Sequence, residues 1–151
     1  MDMWGFCESQ ETEGVSPDMF AEFILPYQLP ILERCGLNYY GCCEPIDPRW
    51  EHVRKIPRLR RVSSSPWADK RIMREQLGRD YIISVKPNPS FWAMPVIEED
   101  NARAEIRETL EATKGGVLEI FMKDNHTLGK NPRNATRWVE IAREEINRIY
   151  G

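Results

Sequence analysis

Histidine is scarce in this sequence, with two in 151 residues, and neither a CxxC nor an HxxxH spacing occurs. No zinc-finger or metalloprotease motif can therefore be read from it. Basic excess is also missing: 21 Lys and Arg stand against 24 Asp and Glu, a net charge of -3. A nucleic-acid-binding domain is usually basic, so this balance argues against one. No apolar run approaches the roughly 18 residues that cross a bilayer. The N-terminal Met-Asp-Met-Trp-Gly-Phe has neither the basic n-region nor the h-region of a secretory signal. The four cysteines (Cys7, Cys35, Cys42 and Cys43) form no disulfide framework, two of them being adjacent. Reduced thiols and a cytoplasmic location are the expectation. No internal repeat points to a solenoid.

Apolar residues make up 41% of the chain and charged residues 30%, with five each of Trp, Tyr and Phe. That is the composition of one globular domain with ample core material. Arg54-Lys-Ile-Pro-Arg-Leu-Arg-Arg61 holds five basic residues in eight and reads as a solvated helix end and strand edge.

Taken in order, residues 1–7 are short, apolar and aromatic, followed by a polar loop to Gly14. Ser16-Pro17 supplies a helix N-cap with proline at the first position. Phe20, Phe23, Ile24, Tyr27, Ile31 and Leu32 follow at helical spacing, with Pro26 and Pro30 predicting a kink or a break. Residues 37–42 read as a strand, and Asp47-Pro48 starts a short helix stopped by Pro57. Residues 59–64 form the next strand candidate. Ser65-Pro66 is expected to open a helix closed by Gly78. Residues 80–86 give the clearest strand, and the proline-rich residues 87–95 an irregular loop. A helix over 98–113, a strand over 117–122 and a final helix capped by Asn131-Pro132 complete the pattern. Ala135, Trp138, Val139, Ala142, Ile146 and Ile149 are expected to face inward from that last helix.

Five alternating units imply an α/β fold with a parallel sheet. A closed eight-unit barrel takes about 250 residues, or about 31 per unit, so this chain supplies about five. The expectation is an incomplete TIM (β/α)8 barrel, favoured over an open sheet by the abrupt start at Met1. Such a piece exposes an unpaired strand edge and an apolar face. Self-association, or an N-terminal barrel half carried elsewhere, follows as an expectation.

In parallel α/β folds, functional groups gather at the carboxyl ends of the strands. Those ends carry, in turn, Cys7, Glu8 and Gln10; Cys42, Cys43 and Glu44; Ser64, Ser65 and Trp67; Lys86 and Asn88; and Lys123, Asp124 and His126. Strand parity groups Tyr39, Gly41 and Cys43 on one face and sets Cys42 opposite, so Cys43 with Glu44 is the favoured pair. A thiolate with oxygen or imidazole ligands suits zinc, which makes Cys43, Glu44 and His126 a candidate ligand set. The bland reading of the two cysteines is one buried thiol and one loop thiol. Glu44, Lys86 and Asp124 are candidate catalytic residues, Lys86 for pairing with a substrate carboxylate or for proton transfer. A solvated lysine at residue 86 and a plain polar turn at residues 123–126 are the alternatives. Glu119, inside the last strand, needs a cationic partner, and Lys123 or Lys86 could supply one.

The sequence resembles the C-terminal part of the uroporphyrinogen decarboxylase superfamily, which includes cobalamin-dependent methyltransferases. The resemblance rests on Gly14-Val-Ser-Pro-Asp-Met-Phe20, on Gly-Cys-Cys-Glu-Pro at residues 41–45, on Leu59-Arg-Arg-Val-Ser-Ser-Ser-Pro-Trp67 and on Ser84-Val-Lys-Pro-Asn-Pro89. It implies a (β/α)8 barrel of which residues 1–151 are the C-terminal part. It also implies a corrinoid-linked methyl transfer to or from a small molecule, with a zinc site whose cysteine matches Cys43 and a corrinoid protein as partner. In the family pattern a histidine stands where this chain has Gly41, and a second zinc cysteine lies near the last strand, where Lys123, Asp124 and His126 stand here. The alternatives are a decarboxylase acting on a carboxylated aromatic or tetrapyrrole, and a fragment or subunit inactive alone. The Gly-His-Gly stretch of the true decarboxylases is missing.

Overall fold

A computed structural model describes residues 2–123 and 125–151. Five parallel strands form one sheet: β1 (Trp4–Cys7), β2 (Leu37–Tyr40), β3 (Leu59–Ser64), β4 (Ile82–Val85) and β5 (Val117–Ile120). Their spatial order is their sequence order, β1-β2-β3-β4-β5. Between them run α1 (Pro17–Phe23), α2 (Leu25–Leu32), α3 (Trp50–Val53), α4 (Lys70–Leu77), the single turn α5 (Ser90–Ala93) and α6 (Glu99–Ala112). The 18-residue α7 (Arg133–Tyr150) follows β5. No helix among the described residues is long and apolar enough to cross a membrane.

Local chemistry explains the boundaries. Ser16 caps α1 by accepting from the Met19 amide at 3.2 Å, with Pro17 behind it. Proline has no amide hydrogen to give the helix ladder, and the helical stretch breaks at Ile24, just before Pro26, into α1 and α2. The helix after β3 begins later than Ser65-Pro66 suggests. Asp69 is its cap, accepting from the amides of Arg71 at 2.9 Å and Ile72 at 3.1 Å.

A strand order without reversal has a strong consequence. Right-handed crossovers taken in one direction lay every helix on the same side of the sheet. The packing agrees. Cys7, Tyr40, Val62, Ile83, Val85, Leu118 and Ile120 share the apolar core with helix residues such as Phe20, Leu32, Trp50, Met73, Leu77, Ile106 and Leu110. Alternate positions, namely Trp4, Phe6, Leu37, Tyr39, Arg61, Ile82, Ser84 and Glu119, belong to the other face, which carries no helix among the described residues. This singly wound, one-sided arrangement is that of an arc of a (β/α) barrel. It differs from a doubly wound sheet, which covers both faces.

The C-terminal end of the arc is closed by charge as well as by packing. Trp92 and Trp138 meet edge to face at 5.4 Å, and the Asn134 amide donates to the carbonyls of Trp92, Met94 and Leu128. Asn134 and Glu145 are buried from α7, whereas Val139 and Ile146, expected inward, are exposed. The inward stripe is rotated because Glu145 turns toward α6. There it accepts from Arg103 at 2.9 Å and from Arg107 at 2.5 and 2.9 Å. Such a pairing lets a carboxylate sit in a helix interface at tolerable cost.

The Arg107 guanidinium, followed by Arg103, holds the Glu145 carboxyl down to about 2 against the opposing effect of burial. A depressed folded-state value adds stability that is complete above the ordinary glutamate range and disappears as pH falls through the folded value. Thermal melts should therefore be level between neutrality and about pH 4.5 and fall from there toward pH 2. Glu145→Gln should start from a lower melting temperature and show a shallower acid decline. An acid decline as steep as that of the parent would assign the effect to other carboxylates.

Candidate active site at the strand ends

The chain leaves β2 through Gly41, whose φ is +97°. A Cβ there would lie 2.9 Å from both Ile46 Cγ1 and Ser63 Cβ, so the position needs glycine for conformation and for space. Because the strand ends at Tyr40, side-chain alternation stops before the cysteines. Cys42 and Cys43 do not point to opposite faces as parity predicts. They share a bend, with their sulfurs 3.8 Å apart.

The Cys42 peptide is fixed from three directions. Its amide donates to Glu44 Oε2 at 2.8 Å, and its carbonyl accepts from Ser63 Oγ at 2.7 Å and Lys86 Nζ at 3.0 Å. Lys86 also reaches the Gly41 carbonyl at 3.4 Å. Its ammonium lies 5.5 Å from the Tyr39 ring centre and 5.9 Å from that of Phe121. Only 4% of Lys86 is exposed, so two carbonyls and two aromatic faces replace its hydration. Burial pushes the Cys42 thiol up, and the charges of Lys86 and Lys123 oppose that rise. Lys123 Nζ is in hydrogen-bonding contact with Cys43 Sγ.

Below this rim, the bare face is lined by aromatic rings and cations. Phe6 and Tyr39 lie 5.2 Å apart, and the Arg61 guanidinium covers Tyr39 at 4.7 Å and Phe121 at 5.3 Å. Arg61 pairs with Glu119, reaching past β4 where fully covered Ser84 stands in register between Ser63 and Glu119. Glu119 thus has its cationic partner, and that partner is Arg61.

Glu44 serves a different junction. It is 1% exposed, and its Oε1 accepts from the Ser9 amide at 2.7 Å and the Ser9 hydroxyl at 3.2 Å. Ser9 Oγ in turn accepts from Arg49 at 2.7 Å, and Arg49 also holds the carbonyls of Thr12, Glu13 and Val15. The Ser9–Glu44–Arg49 network ties the loop after β1 to the loop after β2. Its donors occupy both Glu44 oxygens, and the carboxylate is directed at backbone.

Cys42, Cys43, Lys86 and Lys123 are thus brought together. His126 is exposed, and Asp124 lies outside the described residues. Among the described residues no three His, Cys, Asp or Glu side chains are gathered to hold a metal ion. Elsewhere on the predicted rim, Glu8 accepts from the Gln10 amide at 2.8 Å, the Asn88 amide donates to Glu105 at 2.9 Å, and Trp67 is exposed. The hydroxyls of Ser64 and Ser65 are buried without a hydrogen-bond partner among the described residues. Tyr39, Arg61, Ser63 and Phe121 were not singled out as site residues by sequence. Extending the parity of Tyr39 across the neighbouring strands is the signal that finds Arg61 and Phe121.

No family model, curated protein or solved structure matches this chain.

Two outcomes follow from this geometry. Gly41→Ala should destabilise the fold by about 1–3 kcal/mol in urea unfolding, since a left-handed alanine is strained and its methyl has no room. Lys123→Ala should change the rate of iodoacetamide capture of Cys43 while leaving that of Cys35 unchanged, because the lysine ammonium is in direct contact with the Cys43 sulfur. Peptide mass spectrometry of timed alkylations reads both cysteines. An equal rate in parent and variant would show that the lysine does not act on the sulfur.

Proposed function

We propose that this chain carries the thiol-bearing side of a small-molecule active site of the uroporphyrinogen decarboxylase superfamily, used for corrinoid-linked methyl transfer in the cytoplasm. The observation that supports it is the placement of Cys43 beside Lys123 at the carboxyl ends of the strands of a one-sided parallel sheet. Such ends are where (β/α) enzymes keep their chemistry.

The residues divide the work by position. Cys43 presents the sulfur, and Lys123 compensates negative charge on it or moves a proton at it. Glu44, Ser63 and Lys86 act on the Cys42 backbone and keep the bend in place, so they are positioning residues. Tyr39, Phe121 and Arg61 form an aromatic wall with a cation, suited to a flat or anionic substrate. A corrinoid, delivered by a partner protein, would supply the methyl group. No step runs through zinc here, because both Glu44 oxygens are engaged by Ser9 and Cys42.

The Arg61 and Lys86 cations on that aromatic wall favour one second reading, a decarboxylase whose substrate carboxylates they hold. One experiment separates the two. The purified protein is incubated with methylcobalamin and a small alkyl thiol, and in parallel with a porphyrinogen carrying carboxylate side chains. Methyl transfer should be seen in the first assay, and Cys43→Ser should reduce it by about 100-fold or more. Porphyrinogen turnover without methyl transfer would replace the leading reading with the second. Inactivity in both would leave the chain as a subunit or fragment inactive alone.

A further inference from the structure

Apolar exposure in this molecule is concentrated at its two ends and on its bare face. On the β1 side, Met19, Phe23, Tyr27 and Ile31 recur at every fourth residue along α1 and α2, each between 50% and 77% exposed. Met19 and Phe23 lie one turn apart on one face of α1, and Tyr27 and Ile31 do the same on α2. On the β5 side, α7 exposes Val139, Ile146 and Tyr150. A cavity of about 370 Å³ opens between α7 and the strand edge, lined by Leu110, Leu118, Ile120, Ile146 and Tyr150 among others. Between these ends, α3, α4 and α6 expose a single large apolar side chain, Ile72. Both outer strands, β1 and β5, have one edge that pairs with no strand among the described residues. Unpaired parallel edges flanked by apolar helix faces are joining surfaces.

Charge indicates how they join. The first 33 residues carry seven acidic residues and no basic one, whereas the remaining 118 carry 21 basic and 17 acidic. Asp18 and Glu22 are exposed within the α1 stripe. At the opposite end, Lys114 directly precedes the glycines before β5. On α7, Arg143 lies between Val139 and Ile146, and the acidic Glu144 and Glu145 are already held by Arg103, Arg107 and Arg137. Joining two β1 ends would bring two acidic surfaces together, while joining a β1 end to a β5 end brings opposite charges together.

We propose that the surface formed by β1, α1 and α2 docks on the surface formed by β5 and α7 of a second copy of this chain, head to tail. Two copies make this contact twice around one two-fold axis, giving a closed ring of ten parallel strands. Closure at two copies satisfies every edge, whereas a single head-to-tail contact would leave an open, growing chain. The bare faces of both sheets then line one interior, and the rim bearing Cys43 and Lys123 surrounds its mouth.

Light scattering during size-exclusion chromatography of the full chain tests this over a concentration series. The expected mass is twice 17.7 kDa, decreasing toward the monomer as salt is raised. Phe23→Asp on α1 and Ile146→Asp on α7 should each weaken association by about tenfold or more. Trp67→Ser, an exposed change away from both ends, should leave the mass unaltered. Because an edge variant could misfold, a second measurement uses the unaltered chain. Carbodiimide cross-linking of mixed light and heavy isotope-labelled copies should join carboxylates of residues 1–33 to Lys114 between copies. A monomer at every concentration would overturn the proposal and favour a partner supplying three further βα units. Cross-links between copies that avoid Lys114, or indifference to both edge variants in a correctly folded dimer, would overturn it equally. These readouts are masses and linkages, so they stand apart from any assay of methyl transfer.

Discussion

The direction of winding is the constraint on which the rest of this structure depends. Crossovers between parallel strands take the right-handed form, and the strands here are laid down in unbroken order. Helices consequently accumulate on one side, and the sheet acquires a dry face and a bare face. The two faces follow different chemical rules. Tyr40, Val62, Ile83 and Val85 are apolar and buried against helices, whereas Tyr39, Arg61, Ser84 and Glu119, one position away, form an aromatic and charged surface.

A one-sided sheet also determines where precise geometry can be held. Strand ends are anchored below by the ladder, so the loops leaving them need few additional bonds to become rigid. The Cys42 peptide has three, from Glu44, Ser63 and Lys86, which originate in three different units. The thiols therefore sit on a bend determined by tertiary contacts, with Gly41 supplying the backbone conformation. Glu44 contributes most as an anchor, because its two oxygens join the first and second units through Ser9 and Arg49.

Much of the architecture was legible from residue pattern. The strand at Ile82–Val85 coincides with its apolar and β-branched run, and the break between α1 and α2 follows from Pro26. The caps at Ser16 and Gly78 were legible as well, whereas Asp69 in place of Ser65 opens α4 through its own local amide bonds and Asp47 makes no side-chain cap. The site was less legible for three physical reasons. Parity arguments fail once a strand ends, which is why the sulfurs of Cys42 and Cys43 are neighbours. A carboxylate next to a reactive residue looks the same in sequence whether it faces a ligand or backbone amides, and Glu44 faces amides. The partner of Glu119 is set by which cation can cross a small neighbour, and only the register reveals that Ser84 leaves that path to Arg61. On α7, the hydrophobic pattern alone placed Val139 and Ile146 inward. The Arg103 and Arg107 pairing of Glu145 rotates that stripe.

Cations on the bare face connect the fold to its chemistry. Lys86 is nearly covered because two aromatic rings and two carbonyls surround its ammonium. Arg61 lies against the same two rings and is balanced by Glu119. In water such charges interact weakly with a ligand, and the interaction grows several-fold as the surroundings become less polar. Covering the bare face would therefore strengthen the hold of Arg61 and Lys86 on an anionic group without moving either side chain. It would equally strengthen the influence of Lys123 on Cys43. Closing the sheet and completing the site are, on this physical account, one event: the apolar ends supply the association, and the water it expels raises the electrostatic strength of groups already in place.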